Sequence, residues 1–338
     1  MNVDAPDLVR ELRRLLKQIP HGRVTTYGDL ANALGSNSAA RWVGEYLANH
    51  QHGVRCRCHR VVRHDGEIGL FVSRDSNEKA ERLRSDGIDI ENGRVDLNRL
   101  RFDEFASNRP LATLIEQQLE VSARVKCRPL GKLPKQVAGV DVSYIAPDTA
   151  IAAYALVDCT TLELLWSTVQ RRKVRFPYIP GFLAYREIPV LLKLLEAVQR
   201  KGRMADVVFV DGNGILHPRR AGIATQVGVA TGCVSVGIAK SLLCGSVDLN
   251  DASSEELHPI ELDGEVVGFA AKSQRENRPF FVSPGHKIDT IDAARLAKQL
   301  CGLHRLPEPI YHADAISRRA AKELRAKSTR RRFKTSRR

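Results

Sequence analysis

The chain has 338 residues, of which 43% are hydrophobic, and this is long enough for two domains that each bury a core. The formal net charge is +14, but residues 318–338 hold 11 Lys and Arg and one acid. We therefore expect a nearly neutral folded body followed by a basic tail that attracts polyanions.

Cysteine usage and the apolar runs limit the location of the protein. Seven cysteines, an odd number with no CxxC pair and no signal peptide, predict reduced thiols in a cytoplasmic protein. The uncharged run 221–239 is long enough to suggest a membrane span, but its glycines, Thr225, Gln226 and Thr231 argue against one. We expect a monomer with no membrane partner.

The first 50 residues predict short helices. Leu8, Leu12, Leu15 and Leu16 mark one face of an opening helix that closes at 20–22. A second helix starts near Tyr27 and stops at Gly35, and a third spans 39–49. Two short helices around a glycine turn form a helix-turn-helix pattern, which alone is weak evidence for DNA binding.

The segments GRVTTYGDLA, AARWVG, CHRVV and DG resemble, over residues 8–97, the DNA-binding domain of the methylated-DNA–cysteine alkyltransferases. The resemblance implies a small winged helix-turn-helix domain. It also implies that Tyr27 and Arg41 flip a damaged base out of the stack and fill its place. Cys58 is then the nucleophile that accepts the alkyl group from O6-alkylguanine, and His59 helps to form its thiolate.

Three departures from that family pattern leave an alternative open. Arg57 stands where the family has proline. Asp86 stands where the family uses the longer carboxylate of glutamate, and Leu70 stands where the family's pocket segment has tyrosine. The alternative is a non-catalytic lesion sensor in which Cys58 is an inert buried thiol. Cys56 also suggests a metal, but two cysteines without further ligands are weak evidence.

The rest of the chain predicts an α/β fold. Residues 105–110 are expected to form a linker. The leucines after this linker are expected to lie on a helix that packs on the second domain. Three strands, a helix and a further strand then follow in the order of an RNase H-like fold; the strands are predicted at 137–144, 151–158, 162–172 and 207–210. This order places the first strand beside the fourth, so Asp141 and Asp211 should converge.

Two converging carboxylates repel each other unless a cation lies between them. Oxygen ligands of this kind suit Mg²⁺, which keeps part of its water shell and accepts phosphate oxygens. Such a cation can activate water and shield the charge that develops on a phosphate. The pair therefore predicts a magnesium site, with Mn²⁺ as a substitute.

The segment DGNGILHPRRAGIATQVG, which begins at Asp211, resembles the signature of endonuclease V, and the likeness extends over about residues 110–305. The resemblance implies metal-dependent nicking at the second phosphodiester on the 3′ side of hypoxanthine. It implies a ligand set of Asp141, Glu187 and Asp211, with Lys240 and His286 as further catalytic residues.

The same resemblance assigns the DNA contacts. A wedge that parts the DNA strands is expected in the segment PYIP, which comprises Pro177, Tyr178, Ile179 and Pro180. The backbone of Gly212 and Gly214, two glycines of the signature, is expected to line the base pocket. The two prolines should hold Tyr178 and Ile179 on a stiff, exposed loop.

Together these features predict a DNA-repair protein with an alkyltransferase-type domain at 1–105, an endonuclease V domain at 106–317 and a basic tail at 318–338. Its expected partner is DNA that contains deaminated or alkylated bases. Action on inosine in RNA stays an alternative, because both substrates offer the same base edge.

Overall fold

The computed structural model describes residues 5–51, 53, 56–249, 256–273 and 276–335. The chain folds as two compact units. The N-terminal unit comprises the described residues up to Glu116 together with the segment Phe176–Phe182, and the C-terminal unit comprises Gln117–Arg175 and the chain from Leu183 onward.

The N-terminal unit is built from short helices around one small parallel strand pair. Its elements are α1 (Leu8–Leu16), β1 (Thr25–Thr26), α2 (Tyr27–Ala33), α3 (Ala40–Asn49), β2 (Val61–Val62), α4 (Ser76–Ser85) and α5 (Leu97–Leu100). The predicted leucine face of α1 is buried. Thr26 and Asp29 form a reciprocal capping box that fixes the start of α2. The helix-turn-helix pair α2 and α3 is thereby confirmed.

The boundary between the units differs from the expected one. Helix α6 (Pro110–Ala123) belongs to both units, and its first turns pack on the N-terminal unit rather than on the second domain. The amide of Leu111 donates to the carbonyl of Leu34 at 2.8 Å, and a Cβ at Gly35 would lie 2.5 Å from the nitrogen of Ala112. Residues 105–110 are therefore not the place where the two units separate.

The C-terminal unit is organised by one eight-stranded sheet in the order β5-β4-β3-β6-β7-β10-β9-β8. The strands are β3 (Gln136–Ala146), β4 (Thr149–Asp158), β5 (Leu164–Lys173), β6 (Val207–Asp211), β7 (Val234–Ala239), β8 (His258–Leu262), β9 (Glu265–Ser273) and β10 (Glu276–His286). Strands β3 to β5 form an antiparallel meander, and β6 is parallel to β3. This confirms the predicted RNase H-like strand order.

Alternating side chains of the sheet form two cores on its opposite faces. On one face, Val140 and Val210 pack with α7 (Leu183–Arg200) and α8 (Ile223–Thr231). On the other face, Val137 and Phe209 pack with α9 (Thr290–Gln299) and with α10 (Glu308–Thr335). Because side chains alternate along a strand, Asp141 and Asp211 lie on the face that carries α10.

The first part of the expected basic tail belongs to the last helix of the C-terminal unit. Residue 318 lies inside α10, and the helix continues to Thr335. Ala321 is buried, and Arg325 donates to the carbonyls of Tyr144 and Ile145 on β3. The buried apolar residues of this helix, Ile310, Ala313 and Ala321, lie in the part up to Arg325. Residues 336–338 lie outside the described residues, and among the described helices none is long and apolar enough to span a bilayer.

Candidate active sites

Strand register brings the two predicted aspartates together. Val140 on β3 is the partner of Val210 on β6 in a parallel ladder, so the next residues, Asp141 and Asp211, stand side by side. Gly212 ends β6 with a φ of 137°, a conformation that residues with a side chain rarely adopt. The chain therefore turns away directly after the carboxylate, at the carboxyl end of a central strand.

A third carboxylate completes this cluster. Asp314 on α10 lies on the same face of the sheet, and one oxygen from each of Asp141, Asp211 and Asp314 falls within 4.8 Å of the others. The sequence reasoning missed Asp314. No local pattern marked it, because Asp314 reaches the cluster only through the path of α10 across the sheet.

Lys240 and Ser317 hold the cluster in place. The ammonium of Lys240, which follows β7, lies 2.7 Å from Asp211 and 3.0 Å from Asp314. Burial lowers the pKa of Lys240, but the Asp211 carboxylate outweighs this effect and the pKa is raised overall. The hydroxyl of Ser317 donates to Asp141. The expected site residue Lys240 therefore lies beside Asp211 and Asp314.

The charge in the cluster is only partly balanced. Asp141 is 8% exposed, and burial together with the charge of Asp211 raises its pKa to about 7. Three converging carboxylates, with the pKa of Asp141 raised, are a donor set that suits a hard divalent cation. These residues therefore fit a metal site, and the oxygen-only donors favour Mg²⁺ or Mn²⁺ over softer ions.

Glu187 lies near the cluster but outside the set of three carboxylates. It belongs to α7, on the opposite face of the sheet from α10, and Tyr144 donates its hydroxyl to the carboxylate at 2.9 Å. Burial is the main reason that its pKa is raised to about 8, and the charges of Asp141 and Asp211 add to this. The expected role of Glu187 as a metal ligand therefore stays a prediction, and Asp314 is a further candidate beside Asp141 and Asp211.

His286 is not brought to this cluster. Strand β10 runs antiparallel to β7, so His286 pairs with Ser235 near the start of β7, whereas Lys240 follows its end. The Nδ1 atom of His286 accepts from the amide of Lys126 at 3.4 Å. The expectation that His286 belongs with the acidic residues is therefore wrong for this fold.

The glycine loop after Asp211 is packed tightly against β10. A Cβ at Gly214 would lie 2.0 Å from the carbonyl oxygen of Pro284, and the Gly214 amide donates to the Ser283 hydroxyl at 2.8 Å. A Cβ at Gly212 would lie 2.5 Å from Ile223. Both glycines are therefore needed for the loop conformation, and their role in lining a base pocket stays a prediction.

The expected wedge segment presents one aromatic ring. Tyr178 is 60% exposed, but Ile179 is fully buried, so the expectation that both side chains project from the loop is wrong for Ile179. The carbonyl oxygen of Ile179 accepts a hydrogen bond from the amide of Phe182 at 3.0 Å, which closes a turn in this segment. Pro177 is half-buried and Pro180 is exposed beside Tyr178.

The expected alkyl-acceptor site of the N-terminal unit surrounds Cys58. Cys58 begins a short 3-10 helix, Cys58–Arg60, and is 5% exposed. The Nε2 atom of His59 lies 3.0 Å from the carboxylate of Asp86, and Arg60 donates to the same carboxylate. Among the described residues, the buried Nδ1 atom of His59 has no hydrogen-bond partner. Asp86, although shorter than glutamate, therefore reaches and orients His59.

Cys56 changes the chemistry of Cys58. A hydrogen bond from Cys58 lowers the pKa of Cys56 to about 4, and the same bond, with burial, raises the pKa of Cys58. The neighbouring Cys56 and burial therefore disfavour the thiolate form of Cys58. Arg57, which replaces the family proline, donates to the carbonyls of Lys17 and Ile19 at 2.6 and 2.8 Å and anchors the segment before Cys58.

The helix-turn-helix pair carries the two predicted base-flipping residues. Tyr27 begins α2, and a Cβ at Gly44 of α3 would touch its ring at 3.8 Å. Arg41, in the first turn of α3, is 83% exposed and bonds only to Glu45 within the described contacts. An exposed guanidinium at this position is available to a nucleic acid, and both roles stay predictions.

Two family models match separate parts of the chain. The model for Endonuclease V matches residues 119–315, and the model for the 6-O-methylguanine DNA methyltransferase, DNA binding domain, matches residues 7–88. The chain belongs to the endonuclease V family. Endonuclease V enzymes are metal-dependent nucleases that act on deaminated bases, which agrees with the carboxylate cluster described above.

Whole-chain relatives join the same two parts. The chain is 43% identical to a "Bifunctional methyltransferase/endonuclease" of Picrophilus torridus over 89% of this chain and 93% of the relative. A protein of the same name from Thermoplasma volcanium is 37% identical over 87% of this chain and 84% of that protein. The two-part organisation is therefore shared along almost the full length.

Solved endonuclease V structures resemble the nuclease part. Human ENDOV superposes with a TM-score of 0.58 at 32% identity and covers 63% of this chain and 98% of its own. The Ciona intestinalis enzyme in complex with a 23mer DNA that contains an inosine followed by a ribo-adenosine gives a TM-score of 0.58 at 26% identity, over 65% of this chain and all of its own.

Proposed function

We propose that the C-terminal unit hydrolyses the second phosphodiester on the 3′ side of hypoxanthine in DNA, with Mg²⁺ or Mn²⁺ as its metal. The observation that carries the proposal is the register of β3 and β6, which sets Asp141 beside Asp211 and close to Asp314. The inosine-containing DNA bound to the Ciona relative supports the choice of base.

The side chains of this chain have distinct parts in the reaction. Asp141, Asp211 and Asp314 would hold the divalent cation, which supplies Lewis acidity to the phosphate and to the attacking water. Lys240 places a positive charge beside Asp211, where it can stabilise charge that develops on the phosphate. Ser317 keeps the Asp141 carboxylate turned toward its neighbours.

Replacing one carboxylate tests this assignment. We expect Asp211→Asn to reduce nicking of a hypoxanthine strand in Mg²⁺ by at least about 100-fold, because an amide is a poor ligand for a hard cation. Asp206→Asn is the matched control, since Asp206 is exposed just before the same strand. Near-normal nicking by Asp211→Asn, with Asp206→Asn also active, would remove the cluster from the mechanism.

For the N-terminal unit we infer alkyl transfer from O6-alkylguanine to Cys58. The observation that carries this inference is that His59, the residue after Cys58, contacts the carboxylate of Asp86. The Cys58 sulfur, once deprotonated, attacks the alkyl carbon; the bond between that carbon and guanine O6 breaks, and the guanine takes up a proton. Because the pKa of Cys58 is raised, loss of its proton is the step that the site must promote.

Labelled methyl groups test the transfer. Incubation with DNA that carries labelled O6-methylguanine should leave one label on the protein, none on Cys58→Ser, and one on the control Cys127→Ser, whose cysteine is exposed in the other unit. Tight binding of the methylated DNA without any label would identify the N-terminal unit as a lesion sensor instead.

A further inference from the structure

The structure adds a third metal-ligand side chain to the Cys56 and Cys58 pair. His50, which follows the last residue of α3, lies with its Nε2 atom 3.2 Å from the Cys56 sulfur. One ligand atom from each of His50, Cys56 and Cys58 lies within 4.8 Å of the other two. None of the three belongs to the carboxylate cluster of the C-terminal unit.

The imidazole of His50 is oriented for ligation. Its Nδ1 atom lies 2.9 Å from the carbonyl oxygen of Leu47, and since a carbonyl only accepts, Nδ1 must carry the hydrogen. Metal-binding histidines characteristically donate their second ring nitrogen to a carbonyl or a carboxylate, which fixes the ring. The Nε2 atom is then the ligand atom, and it is the one that faces the sulfurs.

The spacing and the donor types fit zinc. With Zn–S near 2.3 Å and Zn–N near 2.0 Å, tetrahedral ligand atoms stand about 3.5 to 3.8 Å apart. The three atoms already lie within 4.8 Å of one another, so side-chain rotations can bring them to these distances. His50 and Cys56 are half-buried, which leaves the site accessible to an ion.

We propose that His50, Cys56 and Cys58 form a Zn²⁺ site that reversibly masks the alkyl-acceptor thiol. On binding, any proton that the two sulfurs still carry is released to solvent, and two thiolates with a neutral imidazole bring the charge of the complex to zero. Coordination draws electron density from the Cys58 sulfur, and this lowers its reactivity toward an alkyl carbon. The masking rests on the proposed alkyl transfer, whereas the metal site does not.

The site can be tested by Co²⁺ titration of the full chain in excess Mg²⁺. Thiolate ligands give intense near-ultraviolet charge-transfer bands that carboxylates do not give, so the nuclease cluster contributes no such signal. We expect one Co²⁺ per chain, displaced by one Zn²⁺. His50→Gln and Cys56→Ser should each weaken Zn²⁺ binding by at least about 100-fold. His64→Gln and Cys127→Ser, both at exposed positions, should bind as the parent does.

Masking is measured separately, as the rate at which iodoacetamide and labelled O6-methylguanine DNA modify Cys58. Zn²⁺ should slow both reactions by at least about tenfold in the parent and not in His50→Gln, and a chelator should restore them. The absence of thiolate–Co²⁺ bands, a Cys56–Cys58 disulfide in place of bound metal, or unchanged or faster modification in Zn²⁺ would overturn the proposal. If Zn²⁺ blocks iodoacetamide but no methyl group is transferred even with chelator, the site stands and the proposed transfer fails.

Discussion

Asp141→Asn should make the metal-free C-terminal unit more stable while it abolishes nicking. Asp141 is buried beside Asp211, and in the absence of a cation its ionised form is penalised by burial and by the neighbouring charge. Asn has nearly the same shape and no charge. The substitution therefore removes an unfavourable interaction that the metal would otherwise compensate.

The size and sign of the effect follow from the pKa. The pKa of Asp141 is about 7 in the folded protein and about 3.9 in an unfolded chain. The penalty is therefore absent below about pH 4, grows as the pH rises, and is complete above about pH 7. Three pKa units correspond to about 4 kcal/mol, and since the Asn amide needs a hydrogen-bond partner of its own, we expect the variant to gain roughly 2 to 4 kcal/mol.

The two tryptophans allow each unit to be followed alone. Trp42 lies in α3 and Trp166 in β5, so in a Trp42→Phe background the fluorescence reports only on the C-terminal unit. Denaturant unfolding with chelator at about pH 8 and about pH 4 gives the free energy of unfolding at each limit. Added Mg²⁺ should stabilise the parent and not Asp141→Asn. No gain at about pH 8, or an equal gain at both pH values, would refute the reasoning.

Three further predictions concern the wedge, the N-terminal unit and the basic end. Tyr178→Ala should lower kcat/KM for nicking of duplex hypoxanthine more than for single strands, because a single strand has no pairing to open. Asp86→Asn should destabilise the N-terminal unit by about 3 kcal/mol near neutral pH, since buried Arg60 loses its partner. Burial raises the pKa of Asp86, but hydrogen bonds from Arg60 and His59 lower it overall, so this contribution is present above about pH 4 and lost as the pH falls further. Deleting residues 328–338, which hold six Lys and Arg, should flatten the salt dependence of DNA binding by about 0.9 per lost phosphate contact and leave lesion preference unchanged.

Each of these has a matched control. Tyr178→Phe keeps the ring and should behave as the parent, while equal losses on both substrates would assign Tyr178 to the fold. Asp86→Asn is followed through Trp42 in a Trp166→Phe background, and a destabilisation that persists at about pH 3 would contradict the charge argument. The truncation starts after Lys327 so that Arg325 keeps its contacts with β3; superimposable salt slopes would exclude DNA contact by this segment.

The sequence was informative wherever a local pattern determines the fold. Val207–Val210 and the residues around Asp141 have the composition of buried central strands, and the order of the elements places those strands side by side. The convergence of Asp141 and Asp211 therefore followed from strand order alone. Tyr27 and Arg41 were likewise placed on the predicted helix pair, whose two helices are separated by the turn at Gly35.

Contacts between distant segments could not be predicted in the same way. Asp314 reaches the cluster only because α10 crosses the face of the sheet that carries Asp141, and a composition rich in Arg hides that helix. His286 was misplaced because a motif does not reveal at which end of an antiparallel strand it lies. His50 was not linked to Cys56 because the helix end that carries it returns to the cysteines only in the fold.

The most direct test of the central claim is to map the cut on an end-labelled duplex with a single hypoxanthine, using the parent, Asp314→Asn and Glu323→Gln in Mg²⁺. Asp314 is the member of the cluster that the sequence did not predict and that only the folded structure reveals. Glu323 is an exposed acid farther along the same helix. We predict a cut at the second phosphodiester 3′ to hypoxanthine by the parent and by Glu323→Gln, with at least about a 100-fold loss for Asp314→Asn. Unimpaired cutting at that bond by Asp314→Asn, or cutting at another position by the parent, would contradict the account.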